Sequence, residues 1–179
     1  MIEVEAKVKV SESELNKIKS KIARLAKYKG IEKKIDDYYT LLALNNYPKK
    51  SLRVRSRSGF YEVNFKKSLS YKKNVHAKKE IEFKLKDIKN FLVLIKDFGF
   101  KHWLRKDKTT YLYEINPKFH IELNYLKRLG WFIEVELLVK NKKEIQKARS
   151  KVYNVLKKIG FSEKNIVKDG YTKLLWDKR

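Results

Sequence analysis

Residues 2–10 read IEVEAKVKV, a strict alternation that puts Val4, Ala6, Val8 and Val10 on one side and Glu3, Glu5, Lys7 and Lys9 on the other. A period of two marks a strand, because successive side chains leave opposite faces of the pleat. The second face of this strand is ionic. The same opposition recurs along the chain. Arg53, Arg55 and Arg57 oppose Leu52 and Val54, and Glu62 and Lys66 oppose Tyr61, Val63 and Phe65. Lys78, Glu80, Glu82 and Lys84 oppose Ile81, Phe83 and Leu85. Lys106 and Lys108 continue the series, as do Glu122 against Ile121 and Leu123, and Glu134 and Glu136 against Ile133, Val135 and Leu137.

Three segments carry helical spacing instead. Ser11 with Glu14 forms a capping-box signature, and Leu15, Ile18, Ile22 and Leu25 follow it, with Gly30 as the expected stop. Ile88, Phe91, Leu92, Ile95 and Phe98 lie between Asp87 and Gly99, and Ile145, Ala148, Val152, Val155, Leu156 and Ile159 between Asn141 and Gly160. Further strands are expected near 35–44, 51–58, 60–67, 77–86, 100–107, 109–115, 118–124 and 131–139. Tyr171, Leu174, Leu175 and Trp176 suggest a short C-terminal helix that docks on or plugs one mouth of the fold. Amphipathic helices must bury their apolar stripes, and the only extensive apolar surface available is that side of the strands. With helices outside, the charged sides face inward. Closure also removes edge strands. The expected class is therefore α+β: an eight-stranded antiparallel β-barrel, a tunnel with a charged interior and amphipathic helices packed outside, spanning 1–179 as one domain.

Composition narrows the chemistry. The 179 residues suit one domain, and 42% hydrophobic content is enough to fill a core. Apolar runs such as Phe91 to Ile95 fall far below the roughly 20 residues needed to span a bilayer. No signal-peptide pattern opens the chain, so a soluble, cytoplasmic protein is expected. Zero cysteines exclude disulfides, thiolate zinc sites and thiol catalysis, and only His76, His102 and His120 supply imidazoles. Any metal should be hard and oxygen-bound. Lys plus Arg number 45 against 21 Asp plus Glu, a formal charge of +24. Nucleic acid, an acidic membrane surface and a phosphate-rich small molecule all fit that excess, and a lysine-rich proteome would produce it with no partner at all. A dry interior of both signs would be costly, at several kcal/mol per unpaired ion. A wet tunnel is not. Carboxylates bind divalent cations and guanidinium groups bind phosphate oxygens, so the two sets together match a metal polyphosphate.

The opening Glu3-x-Glu5-x-Lys7 resembles the E-x-E-x-K signature of the CYTH superfamily, the triphosphate tunnel metalloenzymes, which includes class IV adenylyl cyclases, thiamine triphosphatases and inorganic triphosphatases. Later pieces follow in the family's order: Asp36-Asp37-Tyr38-Tyr39, Leu52-Arg53-Val54-Arg55, Lys66, Glu80-x-Glu82, Lys106-x-Lys108 leading to Tyr111, and Leu129-Gly130-x-Phe132-Ile133-Glu134-x-Glu136. The resemblance implies a tunnel that holds a triphosphate and uses Mg²⁺ or Mn²⁺ for phosphoryl or nucleotidyl transfer. It implies Glu3, Glu5, Glu134 and Glu136 as metal ligands, with Glu80 and Glu82 as further acidic tunnel residues. It implies Lys7, Lys9, Arg53, Arg55, Lys66, Lys106 and Lys108 as the phosphate clamp, and Glu5, Lys7, Arg55 and Glu136 as the catalytic set. Two positions depart from the pattern. Leu123-Asn124 stands where relatives usually carry Leu-Asp, and Lys108 where Arg is common, so a bidentate fork becomes a point charge.

The leading expectation is a metal-dependent triphosphatase acting on inorganic triphosphate or a nucleoside triphosphate. The nearest rival is an adenylyl cyclase forming cyclic AMP and pyrophosphate from ATP, for which Tyr38, Tyr39, Tyr111 and Trp131 could stack on a purine. A third reading is a polyphosphate or RNA binding module without turnover, supported by doublets such as Lys49-Lys50, Lys72-Lys73 and Lys157-Lys158. Peripheral membrane contact and a homodimer are both compatible with the composition. His120 is expected to face into the barrel.

Overall fold

The structure is a computed structural model describing residues 1–57, 59–72 and 75–179, with side chains described outside 66–80. The chain runs β1 (Ile2–Val10), α1 (Leu15–Ala23), β2 (Lys27–Thr40), β3 (Leu52–Arg57), β4 (Phe60–Lys72), β5 (Val75–Leu85), α2 (Lys89–Asp97), β6 (Lys101–Asn116), β7 (Phe119–Leu126), β8 (Gly130–Val139), α3 (Ile145–Ile159) and α4 (Tyr171–Trp176). The eight strands form a closed antiparallel barrel in the order β1-β5-β4-β3-β2-β6-β7-β8. β1 closes the round by pairing with β8 from Ile2↔Val139 to Val10↔Trp131, and with β5 from Ile2↔Lys79 to Glu5↔His76.

The alternation of β1 sorts its side chains as the pattern predicts. Val4, Ala6 and Val8 point outward and meet α1 and α3 in a core with Ile121, Leu123, Ile133 and Val135. From the helices come Ile18, Ile22, Ala148, Val152, Leu156 and Ile159. Each fully buried aliphatic side chain of this kind contributes about 1.5–3 kcal/mol, so the jacket outside the barrel carries most of the stability. Gly160 stops α3 in the left-handed conformation at φ 111, where a side chain would be strained. A smaller cluster of Val54, Val63 and Ile88 sits under α2, and the Asp87 carboxylate accepts the Lys89 N–H at its start. A third cluster of Trp103, Leu104, Leu126, Leu129, Phe132 and Leu175 gathers around α4.

Several boundaries differ from expectation, among them β4, which runs to Lys72 rather than 67. α1 ends at Ala23, and Gly30 lies inside β2, which begins at Lys27 rather than near 35. Pairing with β6 overrides the helical spacing. Leu25 still packs on the core from the turn, and Gly30, at φ 126, sits where the β2–β6 register shifts between Tyr28 and Gly30. The strands expected at 100–107 and 109–115 are one strand of 16 residues, since the inward positions Lys106 and Lys108 continue the alternation through the polar stretch. β2 stops at Thr40, whose hydroxyl donates to the Lys50 carbonyl and secures the following loop. Among the described residues no helix is long and apolar enough to cross a membrane.

Candidate active site

Inside the barrel lies a cavity of about 570 Å³, lined from all eight strands and by Gly170, Tyr171 and Thr172 at the start of α4. Its walls are segregated by charge. Lys34 on β2, Arg53, Arg55 and Arg57 on β3, and Lys106 and Lys108 on β6 line one side, and these three strands are neighbours. Glu122 on β7, Glu134 and Glu136 on β8, and Glu3 and Glu5 on β1 line the other, together with Lys7. Glu62 and Asn64 of β4 and Glu82 of β5 stand between them. Among the described lining residues eight cations face seven carboxylates, so nearly all of the +24 charge lies outside the cavity.

The basic wall is held in place by a carboxylate behind it. Asp36 is wholly buried, and Arg55 donates to it in a fork, Nε to Oδ1 at 2.6 Å and an Nη to Oδ2 at 2.9 Å. The Lys106 ammonium stands 2.8 Å from the same carboxylate. Burial alone would raise the Asp36 carboxyl, but Lys106 and Arg55 outweigh it and hold it well below the usual range. Burial lowers Lys106 to about 8, against the pull of Asp36, with help from Lys108 and Arg55. Arg53 donates to Glu62 at 2.9 Å, and Arg57 reaches Glu62 at 3.5 Å. Two buried donors on these walls, Arg53 Nε and Asn64 Nδ2, have no acceptor among the described residues.

On the acidic wall, Glu122 accepts from Lys34 at 2.9 Å and Lys108 at 2.7 Å. Burial pushes its carboxyl up, but the two lysines win and hold it well below its usual range. Glu134 goes the other way. Burial and the neighbouring charge of Glu5 raise its carboxyl, against Lys108 and Lys7 at 3.8 Å each. Asn124 is fully buried between the two. Its amide donates to Glu122 at 3.2 Å and Glu134 at 3.3 Å, while its oxygen accepts from Thr110. The Tyr171 ring lies within 5.3–5.9 Å of the ammonium groups of Lys7, Lys106 and Lys108, and its hydroxyl is 3.5 Å from Asn124. α4 thus caps the cavity with a ring that favours clustered cations.

The CYTH domain family matches residues 1–171 of this chain. The chain belongs to the CYTH family. It is 30% identical over 181 residues to a Methanocaldococcus jannaschii protein named "putative adenylate cyclase", a match covering 97% of this chain and 98% of that one. The structure of the PH1819 protein of Pyrococcus horikoshii superposes with a TM-score of 0.82 at 27% identity, over 99% of both chains. A Hippeastrum protein, described as a "putative adenylyl cyclase" with a dominant triphosphatase activity, shares the fold at a TM-score of 0.62 and 12% identity, covering 97% of this chain and 93% of that one.

In this CYTH barrel, Glu3, Glu5, Lys7, Arg53, Arg55, Lys106, Lys108, Glu134 and Glu136 all line the one cavity, and exposed Glu82 joins them. The Lys66 and Glu80 side chains fall outside the described residues. Lys9 does not join the lining: it is exposed and pairs in register with Phe132, which packs edge-on against Tyr171 and fills the barrel there. Of the candidate purine stackers, only Tyr38 lines the cavity, where its hydroxyl accepts from Lys106. Tyr39 packs against His102, whose Nε2 is 3.0 Å from Asp37, and Tyr111 and Trp131 pack on each other against the outer core. Trp103 and Tyr47 line the cavity instead. His120 is half-buried, with Nε2 3.9 Å from Glu114.

Lys34, Asp36, Glu62 and Glu122 belong to the site but had no assigned role in the sequence, whereas Asn124 stood out there as a departure from the family's pattern and Tyr171 as part of a helix expected to dock on or plug one mouth. Lys34, Asp36 and Tyr38 do share the alternation parity that would have placed them inward. No group of three or more His, Asp or Glu side chains among the described residues forms a metal cage. The adjacent carboxylates of Glu5 and Glu134 nevertheless suit Mg²⁺ or Mn²⁺, since Mg²⁺ is commonly held by one or two carboxylates plus substrate phosphates.

Proposed function

We propose that the chain acts as a single CYTH tunnel domain over 1–179 and is a metal-dependent triphosphatase that cleaves the terminal phosphate from inorganic triphosphate or a nucleoside triphosphate. The observation that carries this reading is the segregation of charge across one cavity, with a guanidinium and ammonium wall on β3, β2 and β6 facing a carboxylate wall on β7, β8 and β1. A triphosphate alone would be repelled by the acidic side, and a bare cation by the basic side. The two bound together satisfy both. Arg53 Nε and Asn64 Nδ2 offer further donors to phosphate oxygens.

In this reading Arg53, Arg55, Lys106 and Lys108 hold the chain of phosphates, and the Asp36 fork fixes Arg55 so that its remaining N–H groups point at the ligand without reorganisation. Glu5 and Glu134, with Glu3 and Glu136, would hold Mg²⁺ or Mn²⁺, which supplies charge neutralisation on the phosphate oxygens. Water attacks the terminal phosphorus, a new P–O bond forms, and the bridging P–O bond breaks. Glu136 accepts the proton of the water, and Lys7 and Arg55 stabilise the charge that accumulates on the leaving diphosphate. Orthophosphate and a diphosphate result.

The rival reading keeps the same clamp, but the ribose 3′-oxygen attacks the α-phosphorus. Tyr38, Tyr47 and Trp103 at the α4 end of the cavity are the aromatic faces that favour it. Product analysis with ATP and tripolyphosphate under Mg²⁺ and Mn²⁺ decides. Orthophosphate release that stops on chelation is expected. Cyclic AMP with pyrophosphate would install the rival, and salt-sensitive RNA binding with no turnover would replace both with a binding module.

Lys106 gives this reading a pH signature. A free lysine keeps its proton to about 10.4, whereas burial brings this one down to about 8. The folded protein therefore binds fewer protons than the unfolded chain between these values, and stability rises with pH across that window. Phosphate binding should weaken over the same range as the ammonium charge is lost, with KM for tripolyphosphate rising by up to about tenfold per pH unit above 8. Lys106→Arg keeps the charge and should remove this limb. An unchanged limb in that variant would assign it to another group.

A further inference from the structure

The exposed side of α3 carries Lys147, Lys151, Lys157 and Lys158, and that of α1 carries Lys17, as expected of helices facing water. α2 is different. Its sequence places Phe91, Leu92, Val93, Leu94 and Ile95 in succession, followed by Phe98, so that it is apolar around most of its circumference. A helix of that kind is normally buried on more than one side. Here only Ile95 is fully buried, Phe91 and Leu92 are half-buried, and Val93 and Leu94 are each more than half exposed. Phe98 is 72% exposed.

The apolar surface extends past the helix on both sides. Phe83 of β5, itself exposed, meets Phe91 at a ring separation of 5.9 Å, and exposed Leu41 lies beside Gly99. Between α2, β2 and the start of β6 a second cavity of about 530 Å³ opens, lined by Tyr39, Leu92, Ile95 and Phe100 and rimmed by Lys96 and Lys101. Gly99 and Phe100, which follow the protruding Phe98 in the chain, both line it.

We infer that this face binds a second copy of the chain, with Phe98 of each copy entering the other's apolar cavity about a two-fold axis. A knob beside a hole on one surface is self-complementary, which is what an isologous interface requires. At roughly 100 Å² of exposed surface each, Leu41, Phe83, Val93, Leu94 and Phe98 supply about 500 Å² of apolar surface, and a stable interface needs about 800 Å² per partner including its polar rim. The rim is also mixed in sign. Asp97 is exposed next to Lys96 at the C-terminal end of α2, and Asp87 is exposed at its N-terminal end between Lys86 and Lys89, so acidic groups are available for crossed ion pairs between copies. A flat bilayer would leave the concave pocket unfilled. This proposal is independent of the reaction in the tunnel.

Sedimentation equilibrium of the full chain tests it. The wild type is expected to populate a species of twice the chain mass. The association should strengthen as salt rises, because the repulsion between two chains of +24 each outweighs the few rim ion pairs and is screened as the Debye length shortens from about 10 Å at 0.1 M to about 3 Å at 1 M, while the apolar contact is kept. Phe98→Lys, at an exposed position, and Leu92→Trp, which fills the pocket without touching Phe98, should each weaken association at least tenfold, with circular dichroism and phosphate release unchanged. A wild type that remains monomeric at its highest soluble concentration overturns the proposal. So does a dimer indifferent to both substitutions. Binding of the monomer to phosphatidylglycerol vesicles, lost in Phe98→Lys, would overturn it in favour of a membrane-facing surface.

Discussion

Arg55→Ala is expected to lower phosphate release from tripolyphosphate by about 10³-fold, the scale seen when a preorganised donor to a transition-state oxyanion is lost. Arg55 sits on the basic wall, held to a wholly buried carboxylate by two hydrogen bonds, so its position costs nothing to establish when substrate arrives. The same substitution leaves Asp36 with Lys106 as its ion-pair partner at 2.8 Å, and removing one member of a buried pair destabilises proteins by about 3–5 kcal/mol. The lower end of that range applies here because the lysine remains. Arg55→Lys separates the two effects: it restores a charge near Asp36 and should recover part of the stability in urea unfolding, but a point charge cannot reproduce the fork, so most of the activity should stay lost. Full activity in Arg55→Ala would remove the basic wall from the mechanism.

The second large effect is expected at the carboxylate pair of Glu5 and Glu134. Glu5→Gln or Glu134→Gln should reduce metal-dependent turnover by about 10²–10³-fold and raise the Mg²⁺ or Mn²⁺ concentration needed for half-maximal rate. Stability should move differently. The Glu134 carboxyl is raised by burial and by Glu5, so its favourable contribution is fully present below the ordinary glutamate range and is lost as pH rises through the raised value. At neutral pH, Glu134→Gln, which keeps an acceptor for Asn124, should leave stability unchanged or increase it. Asp36 and Glu122 have the opposite sign. Their carboxyls are depressed, so they stabilise above the ordinary range, and that contribution disappears as pH falls through their folded values. Acid unfolding should therefore weaken in its pH dependence in Asp36→Asn and persist in Glu134→Gln. Equal loss of stability in both at neutral pH would mean that Glu134 is held for structure alone.

Alternation within a strand is a local property, and this is why so much of the site is legible in the residues alone. The parity of Glu3, Glu5 and Lys7, of Arg53 and Arg55, and of Glu134 and Glu136 is enough to put each set on one face. The apolar stripes of α1 and α3 require the opposite face to lie outward beneath them. The same logic applied to Lys9 fails because a side chain from elsewhere in the chain, Phe132, takes up the interior at that level with Tyr171.

Which strands stand side by side is set by pairing between residues far apart in the chain, and no periodicity reports it. Only the closed order β3-β2-β6 and β7-β8-β1 gathers the cations on one wall and the carboxylates on the other. Only folding brings Tyr171 beside Lys7, Lys106 and Lys108, or makes Asp36 the buried anchor of Arg55 while the adjacent Asp37 faces His102 outside. Period alone makes the barrel ionic within and apolar beneath its helices. The tertiary structure decided how those charges divide, because long-range strand pairing sets the distances over which they act.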